Sequence, residues 1–352
     1  MKLLTTFLLC AWAASAVEPL EVYNPANCVP YSLNNTPQWP STYCRTIFQW
    51  ALNNTGETSY VWQNGLEYPS LTEPGGDNDL NLPPGLRADG IIVGVIGTGC
   101  NQHEDLAGVL IGGAYISDRG TPVVLEGQYG DYDPHGHETG VSSIIAAERN
   151  GLGMAGVAPG AKLLVISTPL SFPETPGQIA KGIEWLVNHG AQVINLSWGE
   201  TAEQNTALYM AMNYAMVNGV IIVSAVRYGG NLDQTPTYPY AWNFVNYIAV
   251  GATTRLGNLF QFNGTYTATG SRVVGAPGDR IVMASTDDPY VYDNGNSFAA
   301  PHVTGLIALM KAKQPYVRRS QFFLNRIKAG AVLRPVPGIM GSIDAAAALN
   351  GL

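Results

Sequence analysis

Charge is what this sequence of 352 residues has least of: Asp, Glu, Lys and Arg together make up 12% of it, against 46% hydrophobic residues. The net charge is −8 and the Lys and Arg form no cluster, which excludes a basic nucleic-acid-binding face. Long apolar runs are missing after the first 16 residues. Those near 219–226 and 303–310 are about eight residues each, far short of the roughly 20 that span a bilayer. No repeat and no composition break divides the chain, so neither a solenoid nor a string of domains is expected. What the sequence does have is 40 Gly and 23 Pro, the make-up of a large core with many tight turns.

Cysteine is scarce as well, with four in all. Residues 1–16 carry Lys2, an apolar stretch and then Ala14-Ser15-Ala16, the pattern of a secretory signal peptide. Secretion is therefore expected, and Cys10 leaves with the signal. In an oxidising compartment Cys28 and Cys44 are able to close a short loop worth about 3 kcal/mol. Cys100 is then the odd thiol, buried or paired elsewhere. Sequons at Asn34, Asn53 and Asn263 fit glycosylation; that at Asn195 falls in an apolar strand. Residues 17–48, rich in Pro, Asn, Ser and Tyr, read as an irregular arm, and 49–352 as one domain.

Within that domain, β-branched runs at 91–96, 161–166, 193–196, 220–225 and 247–250 have the continuous hydrophobicity of buried parallel strands. Helical stretches at 141–147, 178–189, 202–217 and 303–310 intervene or follow. Strand and helix in alternation predict a doubly wound α/β domain, its mainly parallel sheet flanked by helices. Ligands on such sheets collect at the carboxyl ends of the strands, here Gly97, Gly199 and Tyr228.

The stretch Gly295-Asn296-Ser297-Phe298-Ala299-Ala300-Pro301-His302-Val303-Thr304-Gly305 sets small residues around a serine just before an apolar helix. The serine is expected in a loop at the helix N-terminus, where backbone N–H groups and the helix dipole face any approaching group. The run resembles the serine-nucleophile motif of the subtilisin-like serine proteases, Gly-Thr-Ser-Met-Ala-Ala-Pro-His-Val-Ala-Gly. Asp133-Pro134-His135-Gly136-His137-Glu138-Thr139-Gly140-Val141 is similar to their histidine motif. The spacing to Ala146-Ala147 selects His137 over His135 as the base. Gln49-Trp50-Ala51-Leu52-Asn53-Asn54-Thr55-Gly56 is similar to the start of the catalytic domain in many members, kexin-like ones included. With 32 residues between the expected signal and the domain, the folding prodomain that many of them carry is not expected.

The resemblance implies a serine endopeptidase with Ser297 as nucleophile and His137 as base, and it also exposes departures. Val95-Ile96-Gly97-Thr98-Gly99 matches the strand that ends in the triad aspartate, with Gly97 where the aspartate belongs. Glu138 stands where the family has glycine, and its anionic side chain is expected to crowd the cleft or alter the histidine. It is not expected to replace the aspartate, since adjacent helical residues do not face each other. Glu104, Asp105 and Asp89 offer no obvious substitute either. Val220–Gly230 aligns with the oxyanion strand, with Tyr228 at the oxyanion asparagine position. Ser197-Trp198-Gly199 resembles the edge on which an extended peptide substrate lies. The expectation is a secreted homologue with an impaired site; the alternative is a working endopeptidase with a rearranged acid and oxyanion hole. The partner in either case is a peptide or protein in the cleft of a monomer, not nucleic acid and not a membrane. Calcium is the one cofactor the resemblance implies, and the acidic loop 126–133 is the place it points to.

Overall fold

The computed structural model describes residues 59–63, 66–70 and 79–352, apart from 118–122, 128–132, 135, 151–152, 169–174, 199–200, 228–229, 233, 236, 255, 261–265, 268–272 and 287–289. The expected signal peptide, the Cys28–Cys44 loop, the domain start at Gln49 and three of the four sequons lie outside them.

In chain order the strands are β1 (Ser59–Gln63), β2 (Leu66–Ser70), β3 (Ile92–Gly97), β4 (Leu110–Ile116), β5 (Val124–Glu126), β6 (Lys162–Ser167), β7 (Val193–Leu196), β8 (Ile221–Ala225), β9 (Gly230–Asn231), β10 (Tyr247–Thr253), β11 (Tyr266–Thr267), β12 (Val273–Pro277), β13 (Ile281–Ala284) and β14 (Tyr290–Asp293). The helices are α1 (His137–Ala146), α2 (Pro176–Asn188), α3 (Thr206–Val217), α4 (Asn296–Lys313), α5 (Ser320–Val332) and α6 (Ala345–Leu349). Eight strands form one sheet in the order β12-β10-β8-β7-β3-β6-β4-β5, in which only the edge strand β5 is antiparallel to its neighbour. β1 and β2 form a separate antiparallel hairpin, as do β13 and β14.

The side-chain period of two explains the layers. Val93 and Val95 of β3, Leu163 and Val165 of β6, and Ile221 and Val223 of β8 face one core, shared with α1, α4, α5 and α6. Their neighbours Ile96, Leu164, Ile166 and Ile222 face the opposite core, shared with α2 and α3. This is the doubly wound sheet that the strand–helix alternation predicts. Close approach accounts for two glycines: a side chain at Gly94 would strike Leu186 of α2, and one at Gly305 would strike Val157.

Helix starts depart from the sequence expectation in a way that matters for function. α1 begins at residue 137 rather than 141, entered through Gly136 in the left-handed region at φ 66°. α4 begins at Asn296, so Ser297 is its second residue and not part of a loop. The first turn of α1 is made of polar and small residues, and that of α4 has Phe298 as its one large apolar residue, too little periodicity for the pattern to show either start.

Candidate active site

The carboxyl ends of β3 and β7 and the first turns of α1 and α4 converge, and each brings side chains that the sequence singles out. Pro301 lies inside α4 and has no N–H to offer the carbonyl four residues back, that of Ser297. The Ser197 hydroxyl, just beyond β7, fills the vacancy by donating to the Ser297 carbonyl at 2.6 Å. In return the Ser297 hydroxyl donates to the Ser197 carbonyl at 3.2 Å. The buried Asn296 amide clamps the same turn to the sheet, accepting from the Ala252 N–H at 2.7 Å and donating to the Val226 carbonyl at 2.9 Å. Ser297 thus stands on a turn fixed from three strands. Its N–H is among the first four of a helix, those without an intrahelical acceptor.

His137 opens α1, about a quarter exposed, with its ring against Phe298, the neighbour of Ser297, at 5.2 Å between centroids. Its Nδ1 lies 2.8 Å from Oε1 of Glu138. This corrects the expectation that neighbours on a helix cannot meet. That rule holds where a preceding turn blocks the way. Side chains of the first turn lean toward the N-terminus, past the end of the helix, where no earlier turn intervenes.

The Glu138 carboxylate rests against Gly97. A Cβ built on Gly97 would collide with the Glu138 carboxyl carbon and Oε1. The missing side chain at the end of β3 is therefore replaced in space by one that reaches across from α1. Its other oxygen, Oε2, accepts from the Thr98 N–H at 3.0 Å and is 2.6 Å from the Thr98 hydroxyl. The β3 end is itself held, since the Gly97 carbonyl accepts from both the N–H and the hydroxyl of Thr168. Burial alone would push the Glu138 carboxyl up, but the His137 ring and the Thr98 donors outweigh it and hold the group below the usual carboxylate range. The other acids near the strand serve elsewhere. Asp105 accepts from the Met154 N–H, Glu104 from the Tyr290 hydroxyl, and Asp89 pairs with Arg87 at the surface.

Of the remaining positions, Trp198 is buried in the core on the α2–α3 side. Gly199 and Tyr228 lie outside the described residues, as does His135, and Arg227 is exposed. Cys100 is a buried free thiol, pushed up to about 12 by burial. Asn195, the fourth sequon, is wholly buried, its amide oxygen accepting from Thr304. For calcium, no group of three His, Cys, Asp or Glu side chains among the described residues is arranged to hold a metal ion. Asp133, which closes the acidic loop, has one oxygen on Thr98 and the other on Thr139, so it does not fit as a ligand.

A serine at a helix N-terminus, whose neighbour Phe298 packs on the histidine of a histidine–carboxylate pair at the carboxyl end of a doubly wound parallel sheet, resembles a serine-hydrolase arrangement. Residues 88–332 match the sequence profile of the Subtilase family. Subtilisin Savinase of Lederbergia lenta is 36% identical over 232 residues, covering 66% of this chain and 80% of that protein. M-protease of Shouchella clausii (strain KSM-K16) is likewise 36% identical over 232 residues, but there the match spans only 56% of the relative's length. Among solved structures, proteases from Pseudoalteromonas arctica PAMC 21717 superpose with a TM-score of 0.66 at 25% identity, over 77% of this chain and 94% of theirs. Fervidolysin from Fervidobacterium pennivorans, described as a keratinolytic enzyme related to subtilisin, gives 0.60 at 28% identity over 76% and 43%. The chain belongs to the subtilase family.

Proposed function

We propose that this chain is a serine endopeptidase in which Ser297 is the nucleophile, His137 the general base and Glu138 the acid that orients it. One observation carries the reading: Oε1 of Glu138 lies 2.8 Å from Nδ1 of His137, in the space that Gly97 leaves open. An acid at Nδ1 fixes the tautomer that leaves Nε2 free to take a proton, and it stabilises the imidazolium that follows. The Ser297 hydroxyl gives up its bond to the Ser197 carbonyl as its proton passes to Nε2. The oxygen attacks a peptide carbonyl, and the imidazolium then protonates the departing amine. The Ser297 N–H, at the positive end of α4, faces the developing oxyanion, and the second donor is assigned to Tyr228 by its sequence position alone, that of the family's oxyanion asparagine.

The substrate is a peptide laid in extended form along residues 197–199. The N-terminal apolar segment supports secretion and action on external protein. No helix among the described residues is long and apolar enough to cross a membrane. Ser297→Ala is the control for the test: the purified protein should hydrolyse casein and take a fluorophosphonate label on Ser297, and the variant should do neither. If the protein shows no cleavage and no label, the chain is an impaired homologue that retains the fold for binding.

A further inference from the structure

The Thr98 hydroxyl presents a problem of hydrogen count. It lies 2.7 Å from Oδ1 of Asp133 and 2.6 Å from Oε2 of Glu138. Both distances are those of strong hydrogen bonds to carboxyl oxygens, yet a hydroxyl has a single hydrogen to donate. All three side chains are buried away from bulk solvent. For each contact to be a full hydrogen bond, the chain Asp133–Thr98–Glu138 needs one hydrogen more than two carboxylates and one hydroxyl possess.

The surroundings decide where it resides. Glu138 already faces three donors: the His137 ring, the Thr98 N–H and the Thr98 hydroxyl. A proton on Oε2 would turn the Thr98 hydroxyl into its acceptor but would still be set against the Thr98 N–H. Asp133 differs at its two oxygens. Oδ2 accepts from the N–H and the hydroxyl of Thr139, each at 2.8 Å, whereas Oδ1 has only the Thr98 oxygen before it. The backbone of Asp133 is held by the Asn101 amide in both directions, and the two Thr139 donors fix which oxygen faces Thr139.

We propose that Asp133 and Thr98 are positioning residues for Glu138, with Asp133 carrying the extra hydrogen and donating it to the Thr98 hydroxyl, which donates in turn to Glu138. A directed row of hydrogen bonds then runs from a buried neutral acid to the carboxylate beside His137. It aims Oε1 at Nδ1, the task that a carboxylate borne rigidly on β3 would perform without help. The proposal rests on the role of Glu138 given above.

Asparagine tests it, because its amide reproduces a protonated Asp133: the NH₂ donates to Thr98 while the oxygen accepts from Thr139. Asp133→Asn should keep kcat/KM for a peptide substrate within about threefold, and Thr98→Val should lower it roughly tenfold, the worth of one charge-assisted hydrogen bond. At pH 8 the infrared C=O stretch of a buried protonated carboxyl should be present in the parent and lost in Asp133→Asn. Absence of that band in the parent, or a loss of kcat/KM in Asp133→Asn equal to that in Thr98→Val, overturns the proposal. If the parent protein has no activity, the reading of function fails but the network is still judged, by the infrared band and by the NMR signal of the His137 Nδ1 proton. That signal should shift in Thr98→Val and hold in Asp133→Asn; the reverse order would overturn the proposal.

Discussion

Two buried carboxylates in this chain live under opposite conditions. Glu138, at the end of β3, meets donors at both oxygens and is held below the usual range. Asp105, in the turn after β3, is just as inaccessible but has one firm donor, the Met154 N–H. Among the described residues its Oδ1 has no hydrogen-bond partner. Burial consequently pushes Asp105 up to about 6. The difference teaches that burial alone does not set the state of an acid; the supply of donors decides whether desolvation wins.

The two sites should therefore respond to change with opposite sign. The largest effect is expected from Glu138→Gln, which keeps the shape but removes the charge and disturbs the tautomer of His137. A loss of about 10⁴ in kcat is expected, as for comparable changes in other serine proteases, measured against a parent that cleaves casein. A loss below tenfold would mean that Glu138 orients nothing.

Next comes Gly97→Asp, which drives a side chain into the Glu138 carboxylate and sets two acids against each other. Roughly 3 kcal/mol of stability should be lost by denaturant titration. Adding Glu138→Gly to it clears the collision and returns the acid to the strand, so the double variant should be more stable and more active than Gly97→Asp alone. Additive effects of the two changes would contradict the shared space.

Asp105→Asn should act the other way and stabilise the protein. A carboxyl raised in the folded state binds its proton more tightly there than in the unfolded chain. Its penalty is therefore absent below about pH 4 and complete above about pH 6. At pH 8 the substitution should add on the order of 2 kcal/mol, and at pH 4 almost nothing. Equal shifts in Tm at the two pH values would show that charge is not the cause. Glu138 runs opposite, its contribution present near neutrality and lost as pH falls through its lowered value. The smallest effect concerns Cys100, buried and pushed up to about 12, which should resist alkylation in native protein at pH 8.

Much of this was legible along the chain. Val93, Val95, Leu163 and Val165 mark their strands by composition, and the sheet follows from strands alternating with helices. The motif around Ser297 identified the turn, although α4 starts seven residues before its apolar run does. The role of Pro301 was not legible, since the partner it frees the Ser297 carbonyl for is Ser197, a hundred residues earlier. Nor was the pairing of Gly97 with Glu138. Each reads as a separate departure from the family pattern, one side chain lost and one gained, and only a site short of an acid and holding a surplus one joins them.

The sequence by itself determined the layered fold, the place of Ser297 and His137 at strand ends, and the loss of an acid from β3. These depend on periodicity and on residues close together in the chain. Tertiary structure alone decided whether the site has an acid. A carboxylate acts over about 3 Å, and the docking of α1 against the end of β3, which brings position 138 onto position 97, is a contact between residues far apart in sequence.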